Sequence, residues 1–415
     1  MKLLNLLRKI KSDYICEFRD ITYEKGECRS CIERWVNELP DQEYKEIFLN
    51  LFTNQWKNYV LIRYDSYINL FSKESNTYSA FWDMWDGLYR ECRSAVVDVE
   101  TMNFVIRPFD KFFNMDEREE TSYGVIAQKF ERADVVTVTN KLDGSMQCAR
   151  YYNGEFIMSG SRSINPENSW RLEDGYKMLT ESYRNMLQDY DEYTFIFEHI
   201  SKEDAHVVVY DESDYGLHLI GARHALTGEY MSYDQMRVIA HNRDIPITTQ
   251  YEMDLGQLVD TLGQYSSDEK EGYVVRFTDE CGDFFVKIKC NDYVQMHGIL
   301  SSMQSPNIIL KHIMKETFDD FFAKIPPTRK PQVMEIATTI FNYNNHTKKR
   351  VELYGKTCMS LHESLKDRMI WITNNCPQEI AGWVRNYIKG ERRTNFIKPG
   401  MKWMDILTES LKSVV

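Results

Sequence analysis

Three hydrophobic periodicities follow one another along the chain. In residues 1 to about 60 apolar positions recur at helical spacing, as in Asp41-Gln42-Glu43-Tyr44-Lys45-Glu46-Ile47-Phe48-Leu49-Asn50-Leu51-Phe52. Residues 1–10 read as the first turns of an amphipathic helix. From about 60 to 300 short β-branched and aromatic runs lie between turns. Residues 134–140, 156–158, 193–197, 206–210, 217–220, 272–277 and 284–289 are predicted strands. They do not alternate regularly with helices, so the predicted class is α+β on antiparallel sheets rather than a βαβ series. After about 300 the helical period returns. Ser305-Pro306 starts a helix carrying Ile308, Ile309, His312, Ile313 and Phe318, and Pro331 opens another through Val333, Ile336, Ile340 and Phe341. Residues 350–373 and 377–389 read the same way, with Pro377 in a first turn. The pattern predicts an N-terminal helical extension over 1–60, a strand-rich domain over 61–300 and an all-helical C-terminal domain over 301–415.

Composition narrows the class. The chain has 415 residues, 43% hydrophobic and 27% charged, as in soluble globular proteins. No apolar run approaches the ~20 residues needed to span a bilayer, so no membrane partner is expected. The first ten residues lack the apolar core and small-residue cleavage site of a signal peptide. Nine scattered cysteines fit reduced thiols and a cytoplasmic location. Cys28-Arg29-Ser30-Cys31 has metal-ligand spacing, but no second pair or histidines follow at useful spacing.

A net charge of −12 argues against a general nucleic-acid coat. The charge is uneven. Residues 301–415 hold 18 lysines and arginines against 11 acids, a net of +7, which leaves −19 for the first 300. A polyanionic partner would prefer the C-terminal third and any local basic pocket elsewhere.

The candidate chemistry centres on Lys141-Leu142-Asp143-Gly144-Ser145. A strand precedes it, and Asp-Gly is a turn signal because glycine reaches φ > 0 and aspartate bonds its own backbone. Lys141 is thus held at a strand end, its amine toward a pocket, where burial or neighbouring cations would lower its pKa and make it nucleophilic. Glu198 ends an otherwise apolar strand, a costly place for a carboxylate without a cation or donors. Glu271-Gly272-Tyr273-Val274-Val275-Arg276 follows, then Lys287-Ile288-Lys289, whose two lysines share one strand face. Two cations so placed suit a polyphosphate and are expected to depress the pKa of Lys141. Arg93 lies in Glu91-Cys92-Arg93-Ser94, and Lys111 is flanked by aromatics in Arg107-Pro108-Phe109-Asp110-Lys111-Phe112-Phe113-Asn114.

In order and spacing these elements resemble the covalent nucleotidyltransferases, the ATP-dependent ligases and mRNA capping enzymes. Their pattern is a KxDG element, a strand-end glutamate, an EG-V element and a final KxK pair. The resemblance is closer to one branch, the tRNA-repairing, ATP-dependent RNA ligases of tailed phages. It rests on Glu91 to Asn114, on Thr227-Gly228-Glu229-Tyr230-Met231-Ser232-Tyr233-Asp234, and on Lys287-Ile288-Lys289 followed by Asp292-Tyr293, over roughly residues 60–320.

The resemblance implies an antiparallel-sheet adenylyltransferase domain and a helical C-terminal domain that positions RNA. It implies ATP and Mg2+, with Mn2+ as a substitute, and RNA ends as substrate, with nicked tRNA the suggested natural form. Lys141 would take AMP. Tyr64, Arg93, Lys111, Asp143 and Gly144 would contact the nucleotide. Glu198 would hold the ribose and Glu271 would help bind the metal. Lys287 and Lys289 would contact the α-phosphate and leaving pyrophosphate, and Tyr293 would serve sealing. Asp319 and Asp320 match a helical acidic pair that can take a metal. An end-healing kinase or phosphatase would be a partner, and the place of action would be the host cytoplasm. One departure stands out. The family commonly has a basic residue just before Gly-Ser in the strand after the lysine, whereas this chain reads Ser159-Gly160-Ser161-Arg162-Ser163, with its cation shifted to Arg162. Rival readings are a DNA ligase, a capping enzyme, or a non-catalytic nucleotide- or RNA-binding module.

Overall fold

Thirteen strands among the described residues form three sheets. The first contains β1 (Leu51–Trp56), β2 (Tyr59–Tyr64), β3 (Arg93–Asp98) and β4 (Asn103–Ile106) in that order. The other strands are β5 (Phe113–Asn114), β6 (Val135–Lys141), β7 (Ser145–Tyr152), β8 (Glu155–Ser159), β9 (Tyr193–Ile200), β10 (Gly216–His224), β11 (Gln250–Tyr251), β12 (Gly272–Asp279) and β13 (Gly282–Lys289). The second sheet runs β10-β9-β7-β8 and the third β11-β6-β12-β13-β5. Every pairing is antiparallel except β5 with β13. The class is α+β, as the strand pattern predicts.

The computed structural model describes residues 2–19, 28–65, 76–204, 206–266, 268–290, 306–315, 318–323, 330–390, 396–398, 401–402 and 404–407. The chain divides into two compact units, residues 1–294 and 295–415. In the first, the helix Lys2–Glu17 turns Leu3, Leu7, Ile10 and Tyr14 inward at helical spacing. They share a core with Trp35, Tyr44, Val60, Ile62 and Val97, so the N-terminal helices cover the first sheet. The helical period of 41–52 is cut short: the helix Gln42–Phe48 ends and Leu51 and Phe52 begin β1. There they pair with Tyr64 and Arg63, and sheet pairing overrides local periodicity.

Period-two alternation builds the sheet that matters most for function. Tyr273, Val275 and Phe277 of β12 are fully buried, and Phe130 of the helix Tyr123–Arg132 packs edge-on against Phe277 at 5.1 Å. The intervening Gly272, Val274 and Arg276 face the other way. In β13, Val286 and Ile288 are buried, while Phe285, Lys287 and Lys289 share the face of Arg276, Val274 and Gly272.

The second unit is all helical among its described residues. Pro306–Met314, Phe318–Ala323, Lys330–Leu361, Leu365–Asn375 and Gln378–Ile388 pack around two apolar clusters, one on Ile309, Val333 and Ile340 and one on Val351, Ile372 and Val384. The expected helix over 350–373 divides instead at 362–364, where Ser364 caps a new helix by accepting from Asp367 N.

Candidate functional site

Lys141 is the last residue of β6. Across the third sheet Gly272 pairs with both Lys141 and Lys289, and Val274 pairs with both Thr139 and Lys287. Opposed residues share a face, so three lysines as far apart in the chain as Lys141 and Lys289 gather on one surface with a glycine between two of them. That glycine is required. Its φ is +150°, and a Cβ there would lie 2.3 Å from the Ile288 carbonyl oxygen. Glu271, just before it, bridges its neighbours: Lys141 Nζ donates to Oε2 at 2.5 Å and Lys289 Nζ to Oε1 at 2.8 Å, with the carboxylate only 3% exposed.

The opposite wall comes from the second sheet. Glu198 of β9 faces Met146 of β7, and its Oε1 accepts from Gly144 N at 3.0 Å. A Cβ at 144 would stand 2.3 Å from the His199 carbonyl oxygen, so the Asp143-Gly144 turn can sit on β9 only with glycine there. Between the walls is a cavity of about 270 Å³. Met231, Tyr233, Met236 and Ile220 give it an apolar flank, while Lys141, Lys287 and Arg93 charge it. That division suits an amphipathic ligand with a flat apolar part and an anionic part.

The remaining candidates fall around this cavity or away from it. Arg93 donates to the Asp110 carbonyl at 3.4 Å and lies over Phe112 at 5.0 Å. Lys111 stacks over Phe113 at 4.7 Å and lines a neighbouring hollow that shares Phe112, Tyr230 and Phe285 with the cavity. Tyr64 is set back from the cavity lining, edge-on to Trp82 at 4.9 Å, its backbone N donating to the Cys92 carbonyl beside Arg93. Asp319 is an exposed residue of the helix Phe318–Ala323 in the other unit. Tyr293 and Asp292 lie outside the described residues, as does the side chain of Asp320.

Electrostatics corrects one expectation. Burial pulls the Lys141 pKa down, but Glu271, Glu198 and Asp143 outweigh it and hold the amine above the ordinary lysine value. The sequence leads one to expect depression by Lys287 and Lys289, but a carboxylate stands between Lys141 and Lys289. The depressed amine is Lys287, pushed well down by burial and by Lys111, Arg93, Lys141 and Lys289. Burial alone would raise the Glu271 carboxyl, yet Lys141 and Lys289 hold it below the usual range. Glu198 goes the other way: burial carries it up to about 7, against the pull of Lys141.

Sequence reasoning missed two features here. Residues 206–210 are not a strand. Their backbone turns inward to hold the Asp143-Gly144 turn: Val207 N and Val208 N donate to Asp143 Oδ2 at 2.8 and 2.9 Å, and Asp143 N donates to Tyr210 Oη at 2.8 Å. The flanking polar residues Asp204 and His206 are the signal that the valine run leaves the sheet. The second feature is Arg63, the partner of Arg93 across β2 and β3. Its Nη1 and the Ser94 hydroxyl both donate to the Ser161 carbonyl, at 3.0 and 2.8 Å. They pin the turn that carries Arg162. Burial and the nearness of Arg162 and Arg93 hold the Arg63 guanidinium below its ordinary pKa.

Comparison with known proteins gives this arrangement relatives. A family model described as RNA ligase matches residues 91–293. A protein of Autographa californica nuclear polyhedrosis virus named a bifunctional polynucleotide kinase/RNA ligase is 28% identical over 250 residues, 57% of this chain but 35% of that protein. A protein of Thermovibrio ammonificans named an RNA ligase is 26% identical over 289 residues, covering 65% of this chain and 71% of its own length. Among solved structures, an archaeal ATP-dependent RNA ligase aligns with a TM-score of 0.43 at 11% identity, over 72% of this chain and 76% of that one. The match to the viral protein thus spans about a third of its length.

Proposed function

We propose that this chain, which resembles RNA ligases over residues 91–293, is an ATP-dependent RNA ligase that joins RNA 3′-hydroxyl and 5′-phosphate ends through a lysyl-AMP intermediate. The single observation that carries the reading is the gathering of Lys141, Lys287 and Glu198 around one cavity, with Glu271 bridging Lys141 to Lys289 at its edge. The Lys141 amine attacks the α-phosphorus of ATP. An N–P bond forms, the α–β anhydride bond breaks, pyrophosphate leaves and the ammonium proton passes to solvent. AMP then moves to an RNA 5′-phosphate, and attack by a 3′-hydroxyl releases it.

Each residue has work suited to its chemistry. The apolar flank takes the adenine, and Glu198 accepts from a ribose hydroxyl. Arg93, Lys111, Lys287 and Lys289 neutralise phosphate charge, which is most of what phosphoryl-type transfer asks of a protein. Asp143 and Gly144 fix the turn that aims Lys141. Arg63 and Arg162 add charge beside Arg93 for the 5′-phosphate end.

Glu271 is a hard oxygen donor held between Lys141 and Lys289, and no group of three or more acidic, histidine or cysteine side chains able to hold a metal occurs among the described residues. That donor set fits a Mg2+ ion carried with the triphosphate, since Mg2+ keeps most of its waters and takes one or two carboxylates. Such an ion supplies positive charge against the phosphates. Asp319 is a second candidate ligand, and Tyr293 a candidate for the sealing step.

The helical unit, with its surplus of positive charge, is read as the part that positions a structured RNA such as a nicked tRNA. An end-healing kinase or phosphatase would prepare the ends, and the setting would be a host cytoplasm. No helix of the described residues is long and apolar enough to cross a membrane.

The test is incubation with α-labelled ATP and Mg2+, mapping of the modified residue by mass spectrometry, then a chase with 5′-phosphorylated RNA, nicked DNA or diphosphate-ended RNA. AMP on Lys141 that discharges to 5′-phosphorylated RNA is expected. Absence of an adduct, or discharge confined to DNA nicks or caps, overturns the proposal.

A further inference from the structure

Behind the Lys141 turn, on the side away from the cavity, lies a buried chain of charges that the reaction as described does not use. β9 alternates, so Glu198 faces the cavity and His199 faces the opposite way, fully buried. His199 Nε2 bonds Asp174 Oδ2 at 2.8 Å. Its Nδ1 stands 4.0 Å from Asp204 Oδ2, and neither atom has a hydrogen-bond partner. Asp204 is 3% exposed at its side chain. Its Oδ1 accepts from Arg171 Nε at 2.7 Å, and the Ser145 side chain also bonds this carboxylate.

His206 stands between two carboxylates. Its Nε2 is 3.5 Å from Asp204 Oδ1 and its Nδ1 is 3.9 Å from Asp143 Oδ1. At those distances the ring acts as a charge shared by two acids rather than through a formed hydrogen bond. Both acids are almost wholly buried, so leaving them without a shared cation is costly.

Asp204 and residues 206–210 therefore grip the nucleophile's turn at three points. Asp204 takes Ser145, the backbone at 207 and 208 takes the Asp143 carboxylate, and Tyr210 takes the Asp143 amide. We propose that His206, as its cationic form, is a positioning residue for Lys141: it latches this segment onto Asp143 and so sets the reach of the amine. This rests on the reading of Lys141 as the AMP acceptor.

The groups facing His206 are Asp143 on the turn, Asp204 on its own segment and Glu198 on β9, all of which favour its charged form; Arg171 and His199 meet it through Asp204. Burial opposes them, and the net direction is a pKa above the ordinary histidine value. The latch is thus held at neutral pH and released as pH rises. Lys141 runs the opposite way, since its amine gains reactivity with pH, and the two limbs are separable.

The experiment measures single-turnover formation of the protein–AMP adduct by intact mass spectrometry, from pH 6.5 to 9.5 (approximate limits spanning the histidine and lysine ranges). The full chain is compared with His206→Gln and His206→Lys, and ATP dependence is measured alongside. In His206→Gln the adenylation rate is expected to fall about tenfold at neutral pH while the KM for ATP changes little. His206→Lys, a permanent cation, restores the rate and removes the falling alkaline limb of the natural protein.

Equal losses and unchanged profiles in both variants mean a merely structural histidine and overturn the proposal, as does His206→Gln behaving like the natural protein. Should His206→Gln fail to fold by thermal melting, the shape of the His206→Lys profile decides. If the natural protein forms no adduct, the Lys141 reading falls and takes this inference with it. An adduct whose rate ignores position 206 sinks the inference alone.

Discussion

At the scale of single residues the site is a balance of buried charges, and Glu271 and Glu198 sit on opposite sides of it. Glu271 keeps Lys141 protonated at rest, because a 2.5 Å ion pair in a nearly dry pocket favours the charged form of both partners. Replacing it with glutamine removes that support while Lys287 and Lys289 remain. Lys141 then falls below its present pKa and becomes more reactive to an amine reagent at pH 8, read by labelling and peptide mapping (about severalfold faster), although adenylation is lost. The same change leaves two half-buried ammonium groups without their acid, and stability drops by about 1–3 kcal/mol. Glu198 is held at about 7 by burial, against an ordinary 4.5. Between those values the folded chain keeps a proton that the unfolded chain has released, so this group erodes stability as pH rises and most fully above pH 7. Glu198→Gln keeps the acceptor for Gly144 N and removes the erosion. Its unfolding free energy in chemical denaturation is expected to match that of the natural protein near pH 4 and to exceed it at pH 8, by about 1–3 kcal/mol. A pH-independent difference would mean that some other group carries the charge cost.

At the scale of elements, the register of three strands decides whether these charges meet at all. The alternation of β12 and β13 was readable in advance, because a sheet with one face in a core writes period two into the sequence. The face shared by Lys287 and Lys289 followed from it. Which strand lies beside which did not, since pairing is a long-range choice: Lys141 and Gly272 are partners across β6 and β12, a contact invisible to local spacing. The run at 206–210 misled for a different reason. Three valines in a row look like a strand, but two of their amides are spent on a carboxylate, which no hydropathy pattern records. Arg63 was passed over because its importance comes only from lying opposite Arg93 at a bulge. Gly272 concentrates this dependence on register. Gly272→Ala would drive a methyl into the Ile288 carbonyl and the Lys289 Cα, at 2.3 and 2.8 Å. β12 and β13 must part there, carrying Glu271 and Lys289 with them. A loss of about 1–3 kcal/mol in chemical denaturation is expected, together with loss of adduct formation in protein that remains folded by circular dichroism. A folded, active Gly272→Ala would show that the Lys141–Glu271–Lys289 bridge is dispensable.

At the scale of the whole molecule, charge and chemistry are divided along the chain. The first unit holds the proposed nucleotide site within an acidic stretch of sequence, while the C-terminal 115 residues carry the basic surplus. On the proposed reading, an acidic unit repels RNA except where its own arginines and lysines concentrate, and non-specific grip is expected from the helical unit. Lys348 and Lys349 are exposed on the helix Lys330–Leu361, next to Arg350, whose guanidinium is engaged with Glu379 at 2.9 Å. Each exposed lysine that meets a phosphate releases a counterion, with a slope of about 0.7 in log affinity against log salt for single strands. Reversing both charges, Lys348→Glu with Lys349→Glu, should therefore weaken RNA binding and flatten its salt dependence by about 1.4 in slope. The same protein should form its AMP adduct at the natural rate, because neither residue belongs to the unit that holds Lys141. If RNA affinity and its salt slope are unchanged, the surplus charge of the helical unit only solvates its surface. The grip on RNA must then come from the cations around the cavity itself.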